Sequence, residues 1–162
     1  MKPFLAFLLL FITAQVQLPE AVISARVVGI TDGDTIRLLT NDNQLLRVRL
    51  RNVDSPEKGQ AFGQASNLSR YIFGRDVELH VFDIDRYGRA LAVVILDGVD
   101  INLQQVRGGF AWVYEKYIEE SSPDVQARYR SAEAEGQSRR GLWSDPDPIP
   151  PWEFRRAKLV IR

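Results

Sequence analysis

Over residues 45–51 the chain alternates without a break. Leu46, Val48 and Leu50 point one way, and Arg47, Arg49 and Arg51 point the other. A period of two is the mark of a strand with one face in a core and one toward polar surroundings. Four further stretches, residues 24–30, 35–40, 76–83 and 89–96, alternate in the same way or are β-branched runs. Asp32-Gly33, Asn41-Asp42-Asn43 and Tyr87-Gly88 stand between them as turn signals. Ala61, Ala65, Leu68 and Ile72 recur at helical spacing, and Gly74 stops that helix. Leu103, Val106 and Phe110 predict a short second helix ending near Gly108-Gly109. Ser122-Pro123-Asp124 predicts the start of a third, running to about Ser138: a serine cap, a proline at the first position and an acid in the first turn. Five strands, with one helix after the third and two at the end, specify a mainly β protein with α-helices. The architecture expected is a five-stranded OB-fold Greek-key barrel with three helices.

With 162 residues there is room for one such domain and its core. The formal net charge is zero, so a polyanionic partner must be met by a local cluster or a metal ion. The absence of cysteine excludes disulfides, thiolate metal sites and a cysteine nucleophile. The single histidine, His80, lies in a strand-like run far from the acidic turns and reads as a solvent-facing strand residue.

The two ends differ from the middle. Met1-Lys2-Pro3 followed by the apolar run 4–12 reads as a secretory signal, too short to span a bilayer comfortably. A buried N-terminal helix or an uncleaved anchor is the alternative. The expectation is a signal peptide over residues 1–24, with its cleavage point open among Ala14, Ser24 and Ala25, a folded domain over 25–144, and a connector and tail over 145–162. Export to the periplasm or the medium follows, with no stable membrane association after cleavage. The Pro-rich run 144–152 reads as a stiff extended connector. Beyond it Arg155, Arg156, Lys158 and Arg162 form a basic tail, read first as surface docked by Trp152, with a phosphate-contacting arm as the alternative.

The chemistry is concentrated in the turns. An antiparallel hairpin from Thr35 to Asn52 brings Asp34 beside Asp54. Two carboxylates that close repel unless a cation lies between them. Oxygen donors without histidine or cysteine favour a hard ion such as Ca²⁺ or Mg²⁺, and the Ser55 carbonyl is a third candidate ligand. Glu57, held by Pro56, is placed to position or deprotonate a water. Arg49 and Arg89 suit bidentate capture of a phosphate.

These motifs resemble the staphylococcal nuclease (thermonuclease) family. The resemblance rests on Asp32-Gly33-Asp34-Thr35, Arg49-Leu50 with Val53-Asp54-Ser55-Pro56-Glu57, Asp85-Arg86-Tyr87-Gly88-Arg89, Val106-Arg107-Gly108-Gly109-Phe110-Ala111 and Gly141-Leu142-Trp143. It implies an OB-fold barrel that hydrolyses DNA and RNA with Ca²⁺ and leaves 3′-phosphate ends. By position it implies Asp34, Asp54 and the Ser55 carbonyl as metal ligands, Glu57 at the water, and Arg49 and Arg89 at the phosphate. Asp32 becomes a turn residue, because the family's ligand matches the second Asp of the Asp-Gly-Asp turn. Where the staphylococcal enzyme has two base-stacking tyrosines, this chain has Glu115 and Tyr117. Tyr114 and Tyr117 are the candidates for stacking on a base, with core packing the alternative for Tyr114. A monomer is expected. The alternative is a non-catalytic OB module that binds nucleic acid or protein, as in Tudor-nuclease proteins, but those lack the catalytic residues present here.

Overall fold

The computed structural model describes residues 19–57, 60, 63–139 and 141–160. The strands are β1 (Ala21–Ile30), β2 (Thr35–Thr40), β3 (Leu45–Leu50), β4 (Val53–Asp54), β5 (Asp76–Ile84), β6 (Ala90–Leu96), β7 (Val99–Asp100) and β8 (Trp112–Val113). The helices are α1 (Gln64–Ile72), α2 (Ile101–Arg107), α3 (Glu115–Ile118), α4 (Pro123–Gln137) and α5 (Pro151–Val160), with a 3-10 turn at Leu142–Ser144.

Five strands close into a mixed barrel in the order β1-β2-β3-β6-β5 and back to β1. Every pair is antiparallel except β3 with β6, which run parallel with Arg49 opposite Leu91. That parallel pair closes the sheet and removes its free edges. The alternation then dictates the core. Ile36 and Leu38 of β2, Val48 and Leu50 of β3, Leu79 of β5 and Val94 of β6 are completely buried. Leu68 and Ile72 of α1 plug one end. Each such aliphatic side chain contributes roughly 1.5–3 kcal/mol through removal from water.

Polar groups fix the helices to the barrel. Asp100 caps α2 by accepting from the Leu103 amide and also accepts from the Tyr129 hydroxyl of α4. Ser122 caps α4, with Pro123 at its first position, as its sequence predicts. Gly136 lets α4 lie against α2: a Cβ there would stand 2.4 Å from the Val106 carbonyl oxygen. Asn102, fully buried on α2, stitches three strand groups together. Its Oδ1 accepts from the Val94 amide, and its Nδ2 donates to the carbonyls of Arg51 and Ala92. Asn102→Ala leaves the Val94 amide and the Arg51 carbonyl without their side-chain partner inside the barrel. We expect a loss of about 2–4 kcal/mol, read as a lower urea midpoint with an unchanged slope.

β1 begins at Ala21 and pairs with β5 from Ala21 opposite Val81, so the folded domain starts before residue 25. Cleavage at Ser24 or Ala25 would cut this strand, and cleavage at Ala14 would leave it whole. The rest of the proposed signal, residues 1–18, lies outside the described residues, as does Ala61. At the other end the basic tail, expected to be docked by Trp152, forms helix α5, which with α3 makes five helices rather than three. Pro151 stands at its first position, where a missing N–H costs nothing, and is buried against the domain. The fifth is α3, a single turn formed by Glu115, Lys116, Tyr117 and Ile118. His80 is half-buried on β5 beside Glu78 rather than fully solvent-facing. Among the described residues no helix is long and apolar enough to cross a membrane.

Candidate active site

The Asp-Gly-Asp turn between β1 and β2 is pressed onto the loop after β4. Gly33 makes this possible. A Cβ at that position would meet the Ser55 Oγ at 2.6 Å and the Gln64 Cβ at 2.5 Å. Gln105 of α2 donates to the Gly33 carbonyl and pins the turn from beneath. Asp32 accepts from the Asp34 amide within the turn. Burial, then the neighbouring Asp34 carboxylate, push the Asp32 carboxyl up to about 6. Asp34 accepts from the Ser55 amide at 2.8 Å and from the Thr35 hydroxyl at 3.0 Å. So Asp34 and Ser55, 21 residues apart, are in direct contact.

Asp54 closes the other side. Its short strand pairs with β8, Asp54 opposite Trp112, and its carboxylate is 1% exposed. Arg49 joins the two aspartates, with Nη1 3.2 Å from Asp34 Oδ2 and Nη2 2.9 Å from Asp54 Oδ1. Nη1 also donates to the Leu50 and Val53 carbonyls. The alternation placed Arg49 on the polar side of β3. The structure buries that side too, and burial opposes the charge, but Asp34 and Asp54 outweigh it and raise the guanidinium above its ordinary value. Burial pushes the Asp54 carboxyl up, only partly offset by its arginine partners.

Arg89 approaches from the β5–β6 turn. The Asp85 carboxylate accepts from the Arg89 amide at 2.9 Å and from its Nε at 2.7 Å. Nη1 reaches the Thr35 hydroxyl at 3.4 Å, and that hydroxyl in turn donates to Asp34. Among the described residues Nη2 has no protein acceptor. Tyr114 and Tyr117 stand edge to face with ring centres 5.2 Å apart. All of these groups border one groove of about 880 Å³. Glu115 turns away from it into an ion pair with Arg130 of α4.

Glu57 lies in the same groove, but its carboxylate is not free. Arg155 of α5 donates to Glu57 Oε1 at 2.8 Å and to Asp54 Oδ2 at 2.7 Å. Burial works against the Arg155 charge, yet these two carboxylates hold it above its ordinary value. Sequence reasoning named Arg155 only as part of a basic tail and missed its contact with these carboxylates. Its only local signal was the basic, Trp-containing character of the tail. Contact across 101 residues is not visible in a pattern.

Residues 47–145 match the family model described as staphylococcal nuclease homologue. The chain belongs to the staphylococcal nuclease family. It is thereby one of the hydrolytic nucleases. A protein of Escherichia coli O157:H7 called an uncharacterized endonuclease is 42% identical over 139 residues, covering 84% of this chain and 87% of its own length. One of the same description from Haemophilus influenzae is 42% identical over 139 residues, covering 85% of this chain and 75% of its own. A micrococcal nuclease of Shigella flexneri is 39% identical over 142 residues, covering 81% and 79%.

Nucleases of this family are generally metal-dependent, and the donor set suits a hard cation. Asp34 and Asp54 are buried carboxylates held to one guanidinium, and no nitrogen or sulfur ligand stands with them. Among the described residues no three acidic or histidine side chains gather around one point. An ion held here by two aspartates therefore keeps positions for backbone oxygen, water and substrate.

Proposed function

We propose that this nuclease is a Ca²⁺-dependent endonuclease that hydrolyses the phosphodiester bonds of DNA and RNA and leaves 3′-phosphate ends. The observation that carries the reading is the convergence of Asp34, Asp54, Glu57 and Arg89 on one groove. Asp34, Asp54 and the Ser55 carbonyl are the residues that would hold the ion. When bound, Ca²⁺ supplies positive charge to the phosphate and helps orient a water. Glu57 accepts the proton of that water as its oxygen bonds to phosphorus. The bond from phosphorus to the 5′-oxygen breaks, and that oxygen takes a proton from solvent. Arg89, braced by Asp85, offers its outer amino group to the phosphate and to the charge that grows in the five-coordinate transition state. Arg49 keeps the two aspartates together and adds charge from the wall of the groove. Tyr114 and Tyr117 offer aromatic faces to a base of the bound strand.

Export remains part of this proposal, resting on the charged start and apolar run of residues 1–12. Action as a monomer does too. The test is digestion of single-stranded DNA, duplex DNA and RNA by the purified protein, with Ca²⁺ and with excess chelator, followed by chemical identification of the ends. Cleavage of both nucleic acids that stops on chelation, returns with Ca²⁺ and yields 3′-phosphates is expected. Folded protein that binds these polymers and leaves them intact would point instead to a non-catalytic OB module.

A further inference from the structure

Asp54 is contacted by two guanidiniums of different origin. Arg49 belongs to the barrel and lies inside the family segment. Arg155 belongs to α5, beyond residue 145 where that segment ends. Yet Arg155 Nη2 stands 2.7 Å from Asp54 Oδ2, and its Nη1 stands 3.3 Å from Oδ1 and 2.8 Å from Glu57 Oε1. It thus holds both the carboxylate that would bind the ion and the carboxylate that would take the water's proton.

The placement is anchored. Pro151 is buried, and the Trp152 ring lies 6.0 Å from that of Tyr114 at 31°. Arg155 and Lys158 follow Trp152 at steps of three, which keeps all of them on one helix face. Lys158 borders the same groove. The Arg155 side chain is 40% exposed, so it can leave Asp54 by changing rotamer, without unwinding α5.

A calcium ion bonded to Asp54 lies roughly 2.3–2.6 Å from a carboxylate oxygen. Either oxygen of Asp54 already has a guanidinium nitrogen within 3.3 Å. An arginine cation and a doubly charged ion on one buried carboxylate repel strongly, because little solvent screens them. Arg49 cannot move without breaking its buried bonds to the Leu50 and Val53 carbonyls. Arg155 is the group that can yield.

We propose that Arg155 competes with the divalent cation for Asp54, so that docking of helix α5 sets the cation affinity of the site and holds Glu57 until the exchange occurs. This rests on Asp54 being a metal ligand. Once displaced, the guanidinium remains at the mouth of the groove beside Lys158.

The test is calorimetric titration of the full chain with CaCl₂, for the wild type, Arg155→Met and Trp152→Ala, each checked for folding by circular dichroism. Arg155→Met removes the competitor and is expected to tighten Ca²⁺ binding by about tenfold or more. Trp152→Ala loosens α5 without touching Asp54 and is expected to tighten binding in the same direction. Equal affinity in wild type and Arg155→Met overturns the competition and leaves the metal reading standing. Weaker binding in Arg155→Met makes the arginine a support of the site and overturns the proposal as well. Absence of Ca²⁺ binding in all three folded proteins removes the metal reading, and the competition with it.

Discussion

Glu57→Gln lowers turnover about a thousandfold and leaves the protein folded. The amide keeps the size of the carboxylate and one accepting oxygen, but it can no longer take a proton from water. General-base action of this kind is worth roughly 10²–10⁴ in rate. The fold tolerates the change because Glu57 is 39% exposed, belongs to no strand or helix, and has Arg155 as its side-chain partner. The measurement is the initial rate on single-stranded DNA at saturating Ca²⁺, beside the thermal midpoint of the same sample. A rate near that of the wild type would remove Glu57 from the path of the attacking water. The charge loss also weakens the hold on Arg155. A small gain in Ca²⁺ affinity, alongside the fall in rate, is therefore expected from the same preparation.

Arg89→Ala follows closely, with an expected loss of about 10²–10³ in turnover. Two contacts to Asp85 fix the base of this side chain and aim its outer nitrogens into the groove. Preorganised donors act most strongly where charge develops, so the loss belongs in turnover more than in apparent affinity. Arg89→Lys restores a positive charge but not the planar fork, and is expected to recover only a part of the rate. Stability falls only modestly, since Asp85 keeps the Tyr87 and Arg89 amides as donors. Single-turnover hydrolysis at saturating enzyme separates the chemical step from binding. An alanine variant that cleaves at the wild-type single-turnover rate, while binding substrate more weakly, would make Arg89 a binding residue alone.

The barrel was legible because its information is local. Leu46, Val48 and Leu50 announce a strand and its inward face, and Asp32-Gly33 and Tyr87-Gly88 announce where neighbouring strands turn. The same locality exposed Asp34, Asp54, Glu57 and Arg89, which sit in or beside turns of recognisable type. It did not reach β4 and β8, two residues each, which exist only because residues 53–54 and 112–113 meet. Nor did it reach the burial of Arg49. Alternation assigns a side to a residue, but whether that side faces water depends on what later segments lay over it. Here Arg49 is held by the turn carrying Asp34 and by Val53 and Asp54 of β4.

The acidic turns, the arginines and the closed sheet that carries them were therefore determined by the sequence itself, through spacing, turn chemistry and side-chain polarity acting over a few residues. The tail was decided by tertiary structure alone. Four prolines and a cluster of basic residues from 146 onward are compatible with an extended arm in isolation. Packing of Pro151 and Trp152 against the domain turns the segment into a helix and delivers Arg155 to Asp54 and Glu57. A charge on a short helix gains little from its own neighbours. Its partners are two carboxylates about a hundred residues away, and only the folded chain brings them within reach.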